Sequence, residues 1–211
     1  MNLVEILIVF AVVLFSMVLH ELAHGMVAYW LGDTTAKDEG RLTLNPLSHL
    51  DPTLSLILPL LSYILGGPIF GGAKPVPVDS RNLKWREWGM ALVALAGPVM
   101  NLLLALASFL IGYFTGILIN GDGVLYMILY ELVVVNLSLC VFNLIPVPPL
   151  DGSRILYAVA PDGVRSFMLN IERYGVIIVY ILVATGLVSN IISGAMMGIL
   201  RGFYWLVGVV V

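Results

Sequence analysis

Charge is what this sequence has least of. Only 11% of its 211 residues are Asp, Glu, Lys or Arg, whereas 60% are hydrophobic; soluble domains are about 25% charged and about 45–50% apolar. So few polar groups cannot cover a water-exposed surface, and lipid is the expected solvent. Lys and Arg number ten in all, without a basic run, and the net charge is −3. That excludes the electrostatic footprint of a nucleic-acid binder. The single cysteine, Cys140, excludes an intrachain disulfide framework, and its apolar surroundings point to inert packing. No basic residue precedes the first apolar run; the first is Lys37. A cleavable secretory signal needs such a segment, so that run is expected to stay in the mature protein. Internal repeats and low-complexity tracts are also missing, and the polar segments are too short for a soluble accessory domain.

What the chain has instead is apolar length. A helical crossing needs about 20 residues. Residues 3–31, 88–118 and 124–149 supply three spans, and residues 174–211 supply one or two more. Basic residues set the orientation. Lys37 and Arg41 follow the first span, Lys74, Arg81, Lys84 and Arg86 precede the second, and Arg154, Arg165 and Arg173 follow the third. The loop between the second and third spans carries only Asp122. The N-terminus is therefore expected outside and the basic loops in the cytoplasm.

Residues 52–73 are uncharged but broken by Pro59, Gly66, Gly67, Pro68, Gly71 and Gly72. Basic loops flank them on both sides, so they must cross an even number of times, yet they are too few for two crossings. The pattern predicts a half-helix over residues 53–65 with a re-entrant, β-like return. Such backbone is tolerated only against protein or a water-filled cavity. A short interfacial helix is the plainer alternative. The expected fold is thus all-α integral membrane: one transmembrane domain over residues 1–211, a polytopic helical bundle with a three-helix catalytic core and a re-entrant Gly/Pro-rich loop.

His20-Glu21-Leu22-Ala23-His24 lies in the last third of the first span. Residues four apart share a helix face, so two imidazoles can grip one Zn²⁺ with Glu21 beside it as general base. Chance would produce this pattern in roughly one such sequence in a thousand. Ionisable groups inside a span are costly and mark function; polar residues that merely glue helices are the bland reading. A catalytic zinc takes three protein ligands and one open position. Asp151 ends the third span on the same side of the membrane as the two histidines. It is the best third ligand, although Leu150-Asp151-Gly152 also reads as an ordinary turn. With Glu21 and Asp151 ionised, one Zn²⁺ per chain brings the local charge to zero, which limits desolvation cost. Ahead of Asp151, Pro146, Pro148 and Pro149 stop the helix. The freed carbonyls and the Asn143 amide are then candidates to face an extended peptide, with a simple helix stop as the alternative.

These motifs resemble the site-2 protease family of intramembrane zinc metalloproteases. His20 to His24 matches its HExxH, and residues 143–152 match NxxPxPxLDG position by position. Gly97-Pro98-Val99-Met100-Asn101 looks like its GPxxN. Residues 40–46 and 73–78 are similar to the small members. The likeness covers roughly residues 15–160. It implies that His20, His24 and Asp151 bind the metal, that Glu21 is the catalytic acid/base, and that Asn143, Asn101, Pro146 and Pro148 meet the substrate. The sequence departs from larger members in lacking a PDZ-like insertion around Asp122 and room for a CBS pair. The partners implied are a transmembrane protein or peptide substrate and the lipid bilayer, with a homo-oligomer left open. The location implied is a prokaryotic cell membrane, with the active site toward the cytoplasm.

Three residues stay ambiguous. His49 is either a loop histidine or a ligand for a second metal. Glu131 either lines a water path or ties helices together. Arg201, within the last apolar stretch, is expected to snorkel. The competing function is a membrane transporter or channel with a structural metal site, which leaves the HExxH and the depth-matched Asp151 without a purpose. A catalytically idle scaffold is the third reading.

Overall fold

The computed structural model describes residues 2–51, 72 and 74–209. The expected re-entrant segment, residues 52–73, lies outside them save for Gly72. Among the described residues the regular structure is entirely helical. Helix α1 is Leu3–Trp30, α2 is Thr35–Asp38, α3 is Glu87–Phe114, α4 is Ile117–Asn120 and α5 is Gly123–Asn143. Then come α6 (Asp151–Val159), α7 (Asp162–Glu172), α8 (Gly175–Ala184) and α9 (Leu187–Leu206). Four of these, α1, α3, α5 and α9, are long and apolar enough to cross a bilayer. The chain is a multi-pass membrane protein.

Local chemistry explains the ends of α1. Asn2 and Glu5 form a reciprocal capping box, with Glu5 N donating to Asn2 Oδ1 and Asn2 N to Glu5 Oε2. Glu5, the one charge in the first half of the first apolar run, is therefore spent on starting the helix. At the other end Gly32 N and Asp33 N donate back to the carbonyls of Tyr29 and Ala28. This pair of bonds satisfies orphan carbonyls and turns the chain away. The turn delivers Asp33 to a buried position where it receives bonds from Thr35, Asp79 N and Asn82.

The bundle core is formed by α1, α3 and α5, each packed on the other two. Small residues on α3, including Ala91, Ala94, Gly97 and Ala105, are buried there. Small side chains let transmembrane backbones approach closely where apolar burial alone gives no preference for protein over lipid. Further along, Ala105 and Phe109 of α3 meet Val133 and Leu137 of α5 and Phe203 of α9. Large apolar residues such as Phe10, Leu103 and Trp205 stay exposed, as lipid-facing positions do.

Two spans end as helices before the expected residue; the second span does so at Phe114 and not at 118. The third span, expected to reach residue 149, stops as a helix at Asn143. Residues 144–150 then run through non-helical backbone containing three prolines, which cannot donate to a continuing ladder. The C-terminal region, expected to cross once or twice, holds one helix of crossing length, α9. The preceding α8 has only 10 residues and is bent by 84° from α7.

Candidate metal centre

The apolar spans bring His20, His24 and Asp151 together. At 1.5 Å per residue, His24 lies about 9 Å and His20 about 15 Å along α1 from its Trp30 end. Asp151 is the first residue of α6, which packs against α3. That start can sit against the end of α5 because residue 152 is glycine. A Cβ there would lie 2.2 Å from Leu144 O and 2.7 Å from Ile145 O. The small residue of the Leu-Asp-Gly motif is thus what lets the carboxylate fold back beneath α5.

The ligand atoms form a tight triangle. His20 Nε2 and His24 Nε2 are 3.0 Å apart. Asp151 Oδ2 lies 3.2 Å from the first and 3.4 Å from the second. Tetrahedral zinc with bonds of about 2.0–2.2 Å separates its ligands by about 3.3–3.6 Å, close to these values. The outer ring nitrogens identify the tautomers. His24 Nδ1 lies 2.7 Å from Val93 O, an obligate acceptor, so Nδ1 carries the proton. His20 Nδ1 lies 2.6 Å from Asn101 Oδ1 and does the same. In the neutral rings that these acceptors favour, both Nε2 lone pairs face the same carboxylate oxygen, and Asp151 Oδ2 is buried without a hydrogen-bond partner. Three converging lone-pair donors repel one another unless a cation lies among them. The residues fit a divalent metal of the zinc type.

The second helix supports this triangle. A Cβ on Gly97 would lie 2.5 Å from His24 Nε2 and 2.6 Å from His20 Nε2, so only glycine allows α3 to pass so near. Pro98 removes the amide that would bond Ala94 O, and the adjacent carbonyl, Val93 O, is the one that receives His24. Beside this triangle opens a cavity of about 350 Å³. Glu21, Val76, Asn143, Pro149 and Arg154 are among the residues on its wall. One wall is a non-helical strap, residues 74–78, whose Val76 N–H donates to Glu21 Oε2 at 2.9 Å. Arg41 Nη2 holds the strap through Lys74 O, and Asp33 holds its far end through Asp79 N. Burial opposes ionisation of Asp33, but the bonds it accepts from Thr35, Asp79 N and Asn82 outweigh it and keep the carboxyl below the ordinary aspartate range. Arg154, one turn beyond Asp151, brings a cation to the cavity and pairs with Glu172 of α7.

Other expected residues fall elsewhere. Asn101 does not reach the cavity; it has no exposed surface and stands behind His20. Its place on α3 rotates it toward the back of the imidazole. Of the prolines expected at the substrate, Pro146 is exposed and Pro148 is buried with its carbonyl toward Gly175. The proline on the cavity wall is Pro149. Asn143 is on the wall, with Nδ2 bonded back to Leu139 O. His49 is buried in a 3-10 turn and bonds Thr43 O through Nε2. Glu131 is half-buried on α5, and Arg201 is exposed on α9. Four further residues shape the site in ways that no motif marks: Gly97 as a close-approach position, Asp33, and two polar residues within spans, Ser16 and Asn136. The last two carried a signal: a polar side chain amid apolar neighbours needs a partner.

A helical membrane bundle that buries an HExxH pair and a distant aspartate around one point defines a membrane-embedded metallohydrolase architecture. The model of peptidase family M50 matches residues 118–189. "Putative zinc metalloprotease YwhC" of Bacillus subtilis (strain 168) is 40% identical over 201 residues, covering 91% of this chain and 86% of that protein. "Putative zinc metalloprotease Rip2" of Mycolicibacterium smegmatis is 33% identical over 172 residues, 82% of this chain and 64% of its own length. "Zinc metalloprotease MJ0392" of Methanocaldococcus jannaschii is 30% identical over 152 residues, 72% of this chain and 34% of its own. The chain belongs to peptidase family M50. It spans most of YwhC but less than two thirds of Rip2 and MJ0392. No solved structure matches it.

Proposed function

We propose that this chain is an intramembrane zinc endopeptidase that hydrolyses peptide bonds in or next to transmembrane segments of other proteins. The observation that carries this reading is the triangle of converging His20, His24 and Asp151 ligand atoms beside a cavity that Glu21 also lines. His20, His24 and Asp151 are the ligands of one Zn²⁺. When bound, the ion supplies a Lewis acid that polarises a carbonyl and lowers the pKa of water toward about 7. Glu21 takes the proton from the attacking water and returns it to the leaving amine. The Val76 N–H on Oε2 holds the carboxylate toward the cavity. Asn143 and Pro149 are the wall residues that the segment before Asp151 contributes, and the Asn143 amide, one N–H of which bonds Leu139 O, has its second N–H and its oxygen for a substrate.

A substrate helix hides its carbonyls in its own ladder, so it must unwind locally before it is cut. The non-helical strap at residues 74–78 is the surface suited to receive that unwound backbone. The basic residues flanking the spans favour a cytoplasmic setting for the centre. The decisive test is Glu21→Gln in reconstituted membranes, followed by comparison of membrane proteomes with active enzyme and variant. Zinc content should stay stoichiometric while turnover falls about 10²–10⁴-fold. Normal turnover by the variant removes Glu21 from the chemistry.

A further inference from the structure

Behind the ligands runs a line of polar side chains that the proposed chemistry does not itself use. Ser16 of α1, Asn101 of α3 and Asn136 of α5 have no exposed surface. Polar groups at such a depth are costly unless bonded, and these bond one another. Asn136 Nδ2 donates to Leu132 O at 2.8 Å and to Ser16 Oγ at 2.9 Å. Asn101 Nδ2 donates to Asn136 Oδ1 at 2.8 Å, and Asn101 Oδ1 faces His20 Nδ1 at 2.6 Å.

The direction of this chain follows from its far end. Leu132 O is a backbone carbonyl and can only accept, so the amide nitrogen of Asn136 must face it. The oxygen of Asn136 then faces Asn101 and requires a donor, which orients the Asn101 amide. The oxygen of Asn101 is left toward His20, so the histidine proton sits on Nδ1 and the Nε2 lone pair points at the metal position. Reversing either amide would set donor against donor or acceptor against acceptor.

We propose that Asn136 is a positioning residue that sets, through Asn101, the tautomer and ring orientation of His20, with Ser16 as a supporting acceptor. The proposal rests on the reading of His20 as a metal ligand. The helix spans would then be tied together by the same bonds that prepare the ligand, and disturbing Asn136 should be felt at the metal.

The test uses the full chain in detergent. Zinc affinity is measured by chelator competition, the cobalt-substituted protein gives its d–d absorption, and thermal scans of metal-free protein report packing. Asn136→Leu, alike in branching but without hydrogen-bonding atoms, should weaken zinc about 10–100-fold and change the cobalt spectrum. Asn136→Asp, neutral at this depth, keeps an oxygen toward Asn101 and an O–H for Leu132 O and should restore both. A variant that loses thermal stability while zinc affinity and cobalt spectrum stay at wild-type values would overturn the proposal and leave Asn136 as packing alone. Nitrogen NMR of metal-free wild type supplies a measurement that needs no variant. The Nδ1–H tautomer at His20 is expected, and the Nε2–H tautomer overturns the proposal. A wild-type chain that binds no zinc would sink the ligand reading itself, and this inference with it.

Discussion

Gly97→Ala is the sharpest perturbation available. The added methyl carbon would stand 2.5 Å from His20 Cε1 and His24 Nε2 and 2.6 Å from His20 Nε2, where ordinary contact begins at 3.4 Å. Either α3 retreats by about 0.9 Å or both imidazoles do; dispersion contacts do not compress that far. Metal sites tolerate only about ±0.2 Å in ligand distance, and a retreating α3 withdraws Asn101 and Val93 O from the two rings, so on either course two of the three proposed ligands lose their places together. Loss of a supporting contact alone lowers metal affinity about 10–100-fold. Displacing two ligands should therefore exceed about 100-fold, accompanied by about 1–3 kcal/mol of overpacking. The assay is competition with a fluorescent zinc chelator alongside thermal scans of the metal-free protein. Gly198→Ala is the control, because a Cβ there meets nothing within 4 Å. A Gly97→Ala protein that holds zinc as tightly as wild type would refute both the close-packing argument and the place of the centre beside α3.

Asp151→Asn keeps the shape but lowers donor strength and charge, and should reduce zinc content as read by metal analysis. Stoichiometric zinc of unchanged affinity would remove Asp151 from the ligand set. Asp33→Asn, which turns an amide nitrogen toward donors that the carboxylate now accepts from, should destabilise the strap end by about 1.5–3 kcal/mol at neutral pH. Because the folded carboxyl is held below its unfolded value of about 3.9, its contribution is complete above that value. It is lost as pH falls through the lowered one. Thermal scans from pH 7 to pH 3 should show the gap between wild type and Asp33→Asn closing only at the acid end; a gap of constant size contradicts the linkage.

Much of this could be read before any coordinates because lipid is an exacting solvent. It forces crossing helices to be long and apolar, which made the segments containing α1, α3, α5 and α9 visible. It also makes ionisable side chains at depth conspicuous, which singled out His20, Glu21 and His24. Helix rotation was not legible: Asn101 sits at a fitting depth, yet only packing decides that it looks at the back of His20 and not into the cavity. Hydropathy also blurred the end of α5, since residues 144–150 are apolar but contain prolines that end the helix at Asn143. The same prolines left open which of them would face the cavity, a matter of turn geometry that places Pro149 there. Asp33 was hidden because its importance comes from contacts with residues 79 and 82, far along the chain. Asn136 and Ser16 were visible as polar interruptions, but nothing in their spacing linked them to each other across two spans.

The proposed ligands at positions 20, 24 and 151 lie far apart along the polypeptide. A nascent chain threading into the membrane carries the HExxH pair early but has no third donor until position 151 has been made. On this assignment hydrolytic competence arrives late, only after the first and third crossings have met. The ribosome and insertion machinery would thus handle an inert precursor, and a chain with wrongly inserted spans would stay harmless to its neighbours.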